Sequence, residues 1–94
     1  YPTVKNIAVK KNHLGTNLSW KPLEHENLRG YNIYRFSHKT FIPKNPLNHK
    51  LLTQAEFTDL KSPKSYNAHY VVGAVFGEND NLIVGPFSHI VITP

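Results

Sequence analysis

The side chains in this sequence with the donors for acid–base or metal chemistry are six histidines and six carboxylates; cysteine is absent, which removes disulfides and thiolate zinc sites. His13, His25, His38, His49, His69 and His89 show no ligand spacing such as His-x-x-x-His on a helix. His69 and His89 are the one pair that neighbouring strands could bring together as a weak transition-metal site; as spaced, all six read as solvated surface imidazoles. Glu24-His25-Glu26 has the residue types for general acid–base work. Adjacent residues on a loop point apart, however, so the cluster reads as loop charge. Glu78-Asn79-Asp80-Asn81 offers oxygens to a calcium ion and reads as a polar turn. Catalysis needs a base beside a nucleophile, or a metal, in a water-excluded cleft. No such constellation is found, so no catalytic, cofactor or metal site is predicted and the chain is read as a non-enzyme.

The elements that would position these groups are strands. Leu18-Ser19-Trp20-Lys21-Pro22 holds the only tryptophan, in a run that alternates apolar and polar and ends at a proline, which has no N–H for a ladder. Period two puts Leu18 and Trp20 inward and Asn17 and Ser19 outward. The same reasoning predicts strands over 4–9, 16–21, 31–36, 49–53, 56–60, 66–76 and 82–93, the last broken at Gly85-Pro86 by a bulge. Residues 10–15, 23–30, 37–48, 61–65 and 77–81 read as turns and loops. No stretch carries the i, i+3, i+4, i+7 apolar pattern over a helical length. The predicted core is Ile7, Val9, Leu18, Trp20, Tyr31, Ile33, Leu52, Phe57, Leu60, Tyr70, Val72, Ala74, Ile90 and Ile92.

The 94 residues suit a single domain spanning 1–94. The net charge of +5 permits contact with anionic surfaces, whether nucleic acid, phospholipid headgroups or acidic glycans. Nine lysines against two arginines weaken a nucleic-acid reading, because arginine is the better bidentate reader of guanine. The apolar run over 70–77 is far short of the roughly 20 residues of a membrane helix. The start, Tyr1-Pro2-Thr3, reads as the beginning of a processed or excised domain. Asn17-Leu18-Ser19 matches a glycosylation sequon but lies within a strand and reads as chance.

Five marks resemble a fibronectin type III domain: Leu18-Ser19-Trp20-Lys21-Pro22; Gly30-Tyr31-Asn32-Ile33-Tyr34; Phe57-Thr58-Asp59-Leu60; Val72-Gly73-Ala74-Val75; and Gly85-Pro86-Phe87-Ser88. The resemblance covers nearly the whole chain. It implies an all-β, seven-stranded antiparallel Greek-key β-sandwich. With the predicted strands lettered A, B, C, C′, E, F and G, the sheets would be A-B-E and C′-C-F-G. It also implies a tyrosine near the start of strand F. Counting from Leu60 that position is Tyr66, and counting back from Val72-Gly73-Ala74-Val75 it is Ala68. The family's Arg-Gly-Asp adhesion tripeptide is absent, Arg29-Gly30 being followed by Tyr31.

Two surfaces then remain as candidate sites. The outer face of the C–F sheet would carry Tyr34, Phe36, His69, Val71 and Val75, a candidate protein-contact face. One end of the sandwich would gather Lys10, Lys11, Lys39, Lys44, Lys61 and Lys64 with His13 and His38, a candidate anion-binding pole. The opposite end would hold Glu24, Glu26, Glu56, Glu78 and Asp80 against Lys21 and Arg29. The reading is a non-catalytic, extracytoplasmic protein-interaction or spacer module, part of a larger or membrane-anchored protein such as a bacterial lipoprotein, with a protein partner and neighbouring domains in tandem. Its rival is a module that binds acidic glycan or another polyanion through the lysine-rich pole.

Overall fold

A computed structural model describes all 94 residues. It consists of strands and loops: β1 (Ala8–Asn12), β2 (Gly15–Ser19), β3 (Leu28–Phe36), β4 (Glu56–Asp59), β5 (His69–Glu78), β6 (Asn81–Phe87) and β7 (Val91–Ile92). Every pairing is antiparallel. One sheet runs β1-β2-β4; the other runs β3-β5-β6, with β7 pairing the remaining length of β5. The inner faces meet across a core of Val4, Leu18, Trp20, Tyr31, Ile33, Ala68, Tyr70, Val72, Ala74 and Phe76, the layering of a β-sandwich.

Alternation explains most of that core. Thr16 and Leu18 point inward from β2, and Trp20 continues the period just past its end, where its N–H donates to the Ala55 carbonyl at 3.1 Å. The indole is 7% exposed and meets the Tyr31 ring edge-on at 5.2 Å. The Tyr31 hydroxyl in turn accepts the Leu23 N–H at 3.0 Å, which holds the loop after Pro22 against the core.

Several expected boundaries move. β1 starts at Ala8 and runs to Asn12, so Val4 joins the core from outside any strand. β3 starts at Leu28, within the expected charged loop, and its register with β5 shifts between Leu28 and Gly30. The expected strand over 49–53 is a single bridge, Tyr31 to Leu52. Asn48 takes the place of that strand. Its Oδ1 accepts the Ile33 N–H at 2.8 Å, and its Nδ2 reaches the Tyr31 and Lys50 carbonyls and Asn32 Oδ1. A buried amide side chain thus satisfies strand groups that a ladder would otherwise pair. The last expected strand is bulged at Gly85-Pro86, between the Val75–Val84 and Gly73–Phe87 pairs, and interrupted again before β7.

Three expected core residues are exposed: Leu60, Ile90 and Ile92. Leu60 lies one residue beyond β4, and Ile90 sits in the break between β6 and β7. Ile92 pairs with His69, whose side chain belongs to the outer face. Ala68 and Phe76 are buried instead.

One end of the core is polar. Asp59 Oδ2 accepts from Arg35 Nη1 and from the Tyr70 hydroxyl, each at 2.6 Å, and Oδ1 accepts the Lys61 N–H at 3.0 Å. Ser62 Oγ lies 3.1 Å from the Tyr70 oxygen and 2.6 Å from Thr16 Oγ1. The hydroxyl that ties β5 back to the β4–β5 loop therefore belongs to Tyr70. Tyr66 is half exposed, and Ala68 is buried with its N–H donated to Thr93 Oγ1 at 2.9 Å.

Candidate functional site

On the outer face of the four-stranded sheet, Tyr34 lies opposite Val71 and Phe36 opposite His69, while Val75 lies opposite Gly30. Tyr34, Val71 and Val75 are buried there, so as a contact face this set is corrected: its centre is already covered within the chain. The cover comes from β6. The Phe87 ring packs on Tyr34 at 5.1 Å, and Val84 and Phe87 both lie across Gly73, where an added Cβ would sit 3.1–3.2 Å from them. A glycine in mid-strand leaves room for neighbouring side chains to fold over the sheet. The apolar surface that stays open is one strand further out: Leu82, Val84 and Phe87 on β6, with Ile92 on β7.

The two edges of this sheet differ. The β3 edge is occupied by Asn48, by the Leu52 bridge and by the Leu47 N–H, which donates to the Ile33 carbonyl at 2.7 Å. The β6 edge has no strand beyond it. Residues 81–94 carry no lysine, arginine, aspartate or glutamate, the longest such run in the chain. Pro86 and the bulge beside it break the edge and limit uncontrolled strand addition. The hairpin that presents β6 turns on Asn79 and Asp80, at φ 48° and 70°, which explains those residue types at that turn.

Register also places the loops. The β1–β2 turn, the end of β3, Asp59 and the start of β5 share one end of a molecule measuring 43 × 24 × 22 Å. Lys11, His13, Leu14, Leu60, Ser62 and Lys64 line one hollow of about 140 Å³ there. Ser37, His38, Lys39 and Tyr66 line a second, of about 290 Å³. Lys61 is tied to this end by its carbonyl, 3.2 Å from Arg35 Nη1. Lys10 lies one residue further into β1, opposite Asn17, and Lys44 lies in the loop after β3. Gly15 makes the tight turn possible: its φ is 152°, and an added Cβ would fall 2.1 Å from the Asp59 carbonyl oxygen.

Asp59 carries the acidic side chain of this end, and it is buried. Burial works against the charge on Arg35, but the hydrogen bond and charge of Asp59 outweigh it and hold the guanidinium above its ordinary value. Burial, then the Asp59 hydrogen bond, pushes the Tyr70 phenol up to about 12. These groups form a neutral, internally satisfied set and leave the surrounding lysines unopposed. The sequence places Asp59 in the Phe57-Thr58-Asp59-Leu60 mark and Tyr70 in the core, but only the meeting of β4 and β5 shows that the two side chains bond to each other.

On the neighbouring strand, His69 stands opposite Ile92 and not opposite His89. The imidazole near His69 is that of His38, with ring centroids 6.4 Å apart. Glu24-His25-Glu26 is likewise split in role, His25 packing edge-on to Phe76 at 5.1 Å. The largest hollow, of about 610 Å³, is an open trough along 47–57 with Leu47, Leu51, Leu52 and Phe57 in its wall. Compared with protein-family models, curated proteins and solved structures, the chain matches none.

Proposed function

We propose that this chain is a non-catalytic contact module, a fibronectin type III-like Greek-key sandwich in kind, that binds another protein through the open β6 edge. The observation that carries the reading is the asymmetry of the sheet's edges: one is filled by Asn48 and Leu52, the other exposes Leu82, Val84 and Phe87 on an uncharged run. Apolar area with little formal charge suits the centre of a protein interface, where charged residues are depleted. The buried acid of the chain, Asp59, is committed to holding the two sheets together, which supports a structural rather than a chemical use for it.

The test is capture from the native extract in high salt, comparing the wild type with Leu82→Lys, at an exposed position of the edge. A defined protein retained by the wild type and lost by the variant, with both melting alike, is the expected result. Capture that disappears with salt, or that Leu82→Lys leaves intact, overturns the reading, because contact through an uncharged edge is insensitive to screening.

A further inference from the structure

We propose that the basic end of the sandwich docks on an anionic lipid bilayer, with Leu14 and Leu60 entering the headgroup boundary among lysines. This surface is separate from the β6 edge and does not depend on the protein-contact reading. Leu14, at the tip of the β1–β2 turn, is 60% exposed, and Leu60, just past β4, is 70% exposed. Both line the hollow that Lys11, His13 and Lys64 share. In the segment after β3, Phe41 is 96% exposed, between Lys39 and Lys44 in sequence, and Tyr66 stands half exposed beside His38 and Lys39. The core has no use for these side chains, because this end closes with the Asp59–Arg35–Tyr70 hydrogen bonds.

The charge pattern selects an anion, and the apolar tips select which one. Asp59 is buried against Arg35, while Lys11, Lys39, Lys61 and Lys64 are exposed and no carboxylate lines either hollow beside them. Glu78 and Asp80 lie at the far end of β5, well beyond the ~8 Å screening length from these lysines. A soluble polyanion would satisfy the lysines and give Leu14 and Leu60 nothing. A bilayer surface offers anionic headgroups with an apolar phase directly behind them, so charge attraction and apolar burial add. Lysine suits that boundary, since its stem lies along apolar surface while the ammonium stays in water. The resulting orientation is end-on, with the strands standing off the membrane.

The experiment is flotation with phosphatidylcholine vesicles, with and without about one third phosphatidylserine. The wild type is expected to float only with the anionic vesicles. Leu14→Ser with Leu60→Ser should cut that partition by about tenfold or more while leaving retention on heparin unchanged. Lys11→Gln with Lys64→Gln should cut both, by about fivefold per lysine for the vesicles. A Leu60→Trp variant should show a blue-shifted rise in fluorescence on adding anionic vesicles, because native Trp20 is buried and does not report on solvent. All four positions are exposed, so melting curves should match the wild type. Absence of flotation with anionic vesicles overturns the proposal. So does flotation that the leucine pair does not alter, which would make the lysines a site for soluble polyanions. A Leu82→Lys chain that fails to capture protein yet still floats separates the two surfaces.

Discussion

Where β5 finishes, the last core aromatic, Phe76, is capped by Tyr1, whose ring stacks on it at 4.3 Å and 12°, with His25 edge-on to both rings. Where β5 begins, the same core ends in Tyr70, whose hydroxyl reaches Asp59, and no aromatic lid covers it. One end recruits exposed apolar residues to complete the interior. The other completes the interior with hydrogen bonds and leaves Leu14 and Leu60 outside. An apolar residue on the surface therefore means different things at the two ends: a lid at the first, a free surface at the second.

The comparison can be broken most severely through the centre that both ends share. Trp20→Ala should cost ~3–5 kcal/mol in a denaturant melt and loosen both ends together; a loss below ~1 kcal/mol would mean that the two sheets do not depend on the indole. Asp59→Ala should cost ~2–4 kcal/mol, since it leaves the Arg35 charge and the Tyr70 hydroxyl without their acceptor. Its damage should fall on the basic end, seen as faster amide exchange at Thr16 and Lys61 than at Leu28.

Alkaline pH reaches both ends, because the Tyr1 phenol is also held above its ordinary value, by its hydrogen bond to Glu78. The Tyr70 phenol is raised from an unfolded value of 10.0 to about 12, so the folded state holds the proton more tightly between those values. Its stabilisation is complete below pH 10 and is lost as pH rises through 12, by ~2–3 kcal/mol in all. Tyr70→Phe should remove that share of the alkaline dependence and leave the part due to Tyr1; a variant whose alkaline loss is undiminished would assign the titration elsewhere. At the opposite end, Tyr1→Ala removes one stacked pair and should cost ~1 kcal/mol. The smallest effect sharpens the contrast: Leu14→Ser with Leu60→Ser should shift stability by no more than ~0.5 kcal/mol. A larger loss would show that these leucines serve the fold as Tyr1 does.

Much of the layering was legible before any coordinates. Period two in Leu18-Ser19-Trp20, in Tyr31-Asn32-Ile33 and in Tyr70 to Ala74 assigns inward residues on and just past β2, on β3 and on β5. Pro22 and the polar turns marked the breaks between strands. The core assignment failed at Leu60, Ile90 and Ile92, because alternation says which residues share a face and says nothing about whether a residue lies beyond the last paired position. The segment over 49–53 keeps only the Tyr31–Leu52 bridge of the expected strand, because the side chain of Asn48 takes up the neighbouring β3 backbone groups. The contact face built on Tyr34, Val71 and Val75 failed for a different reason. Whether an outer face stays open depends on which strand lies beside Gly73 and on how far Val84 and Phe87 can lean, and both follow from register.

By itself the sequence determined the all-β class and the antiparallel two-sheet layering around Trp20, because local alternation and turn residues are properties of neighbours along the chain. Tertiary structure alone decided that Asp59, Arg35 and Tyr70 meet, that the outer face closes under β6 while the β6 edge stays open, and that Leu14 and Leu60 stand among lysines. Those outcomes join residues on different strands, and only the way the strands pair and the sheets stack brings their side chains within reach.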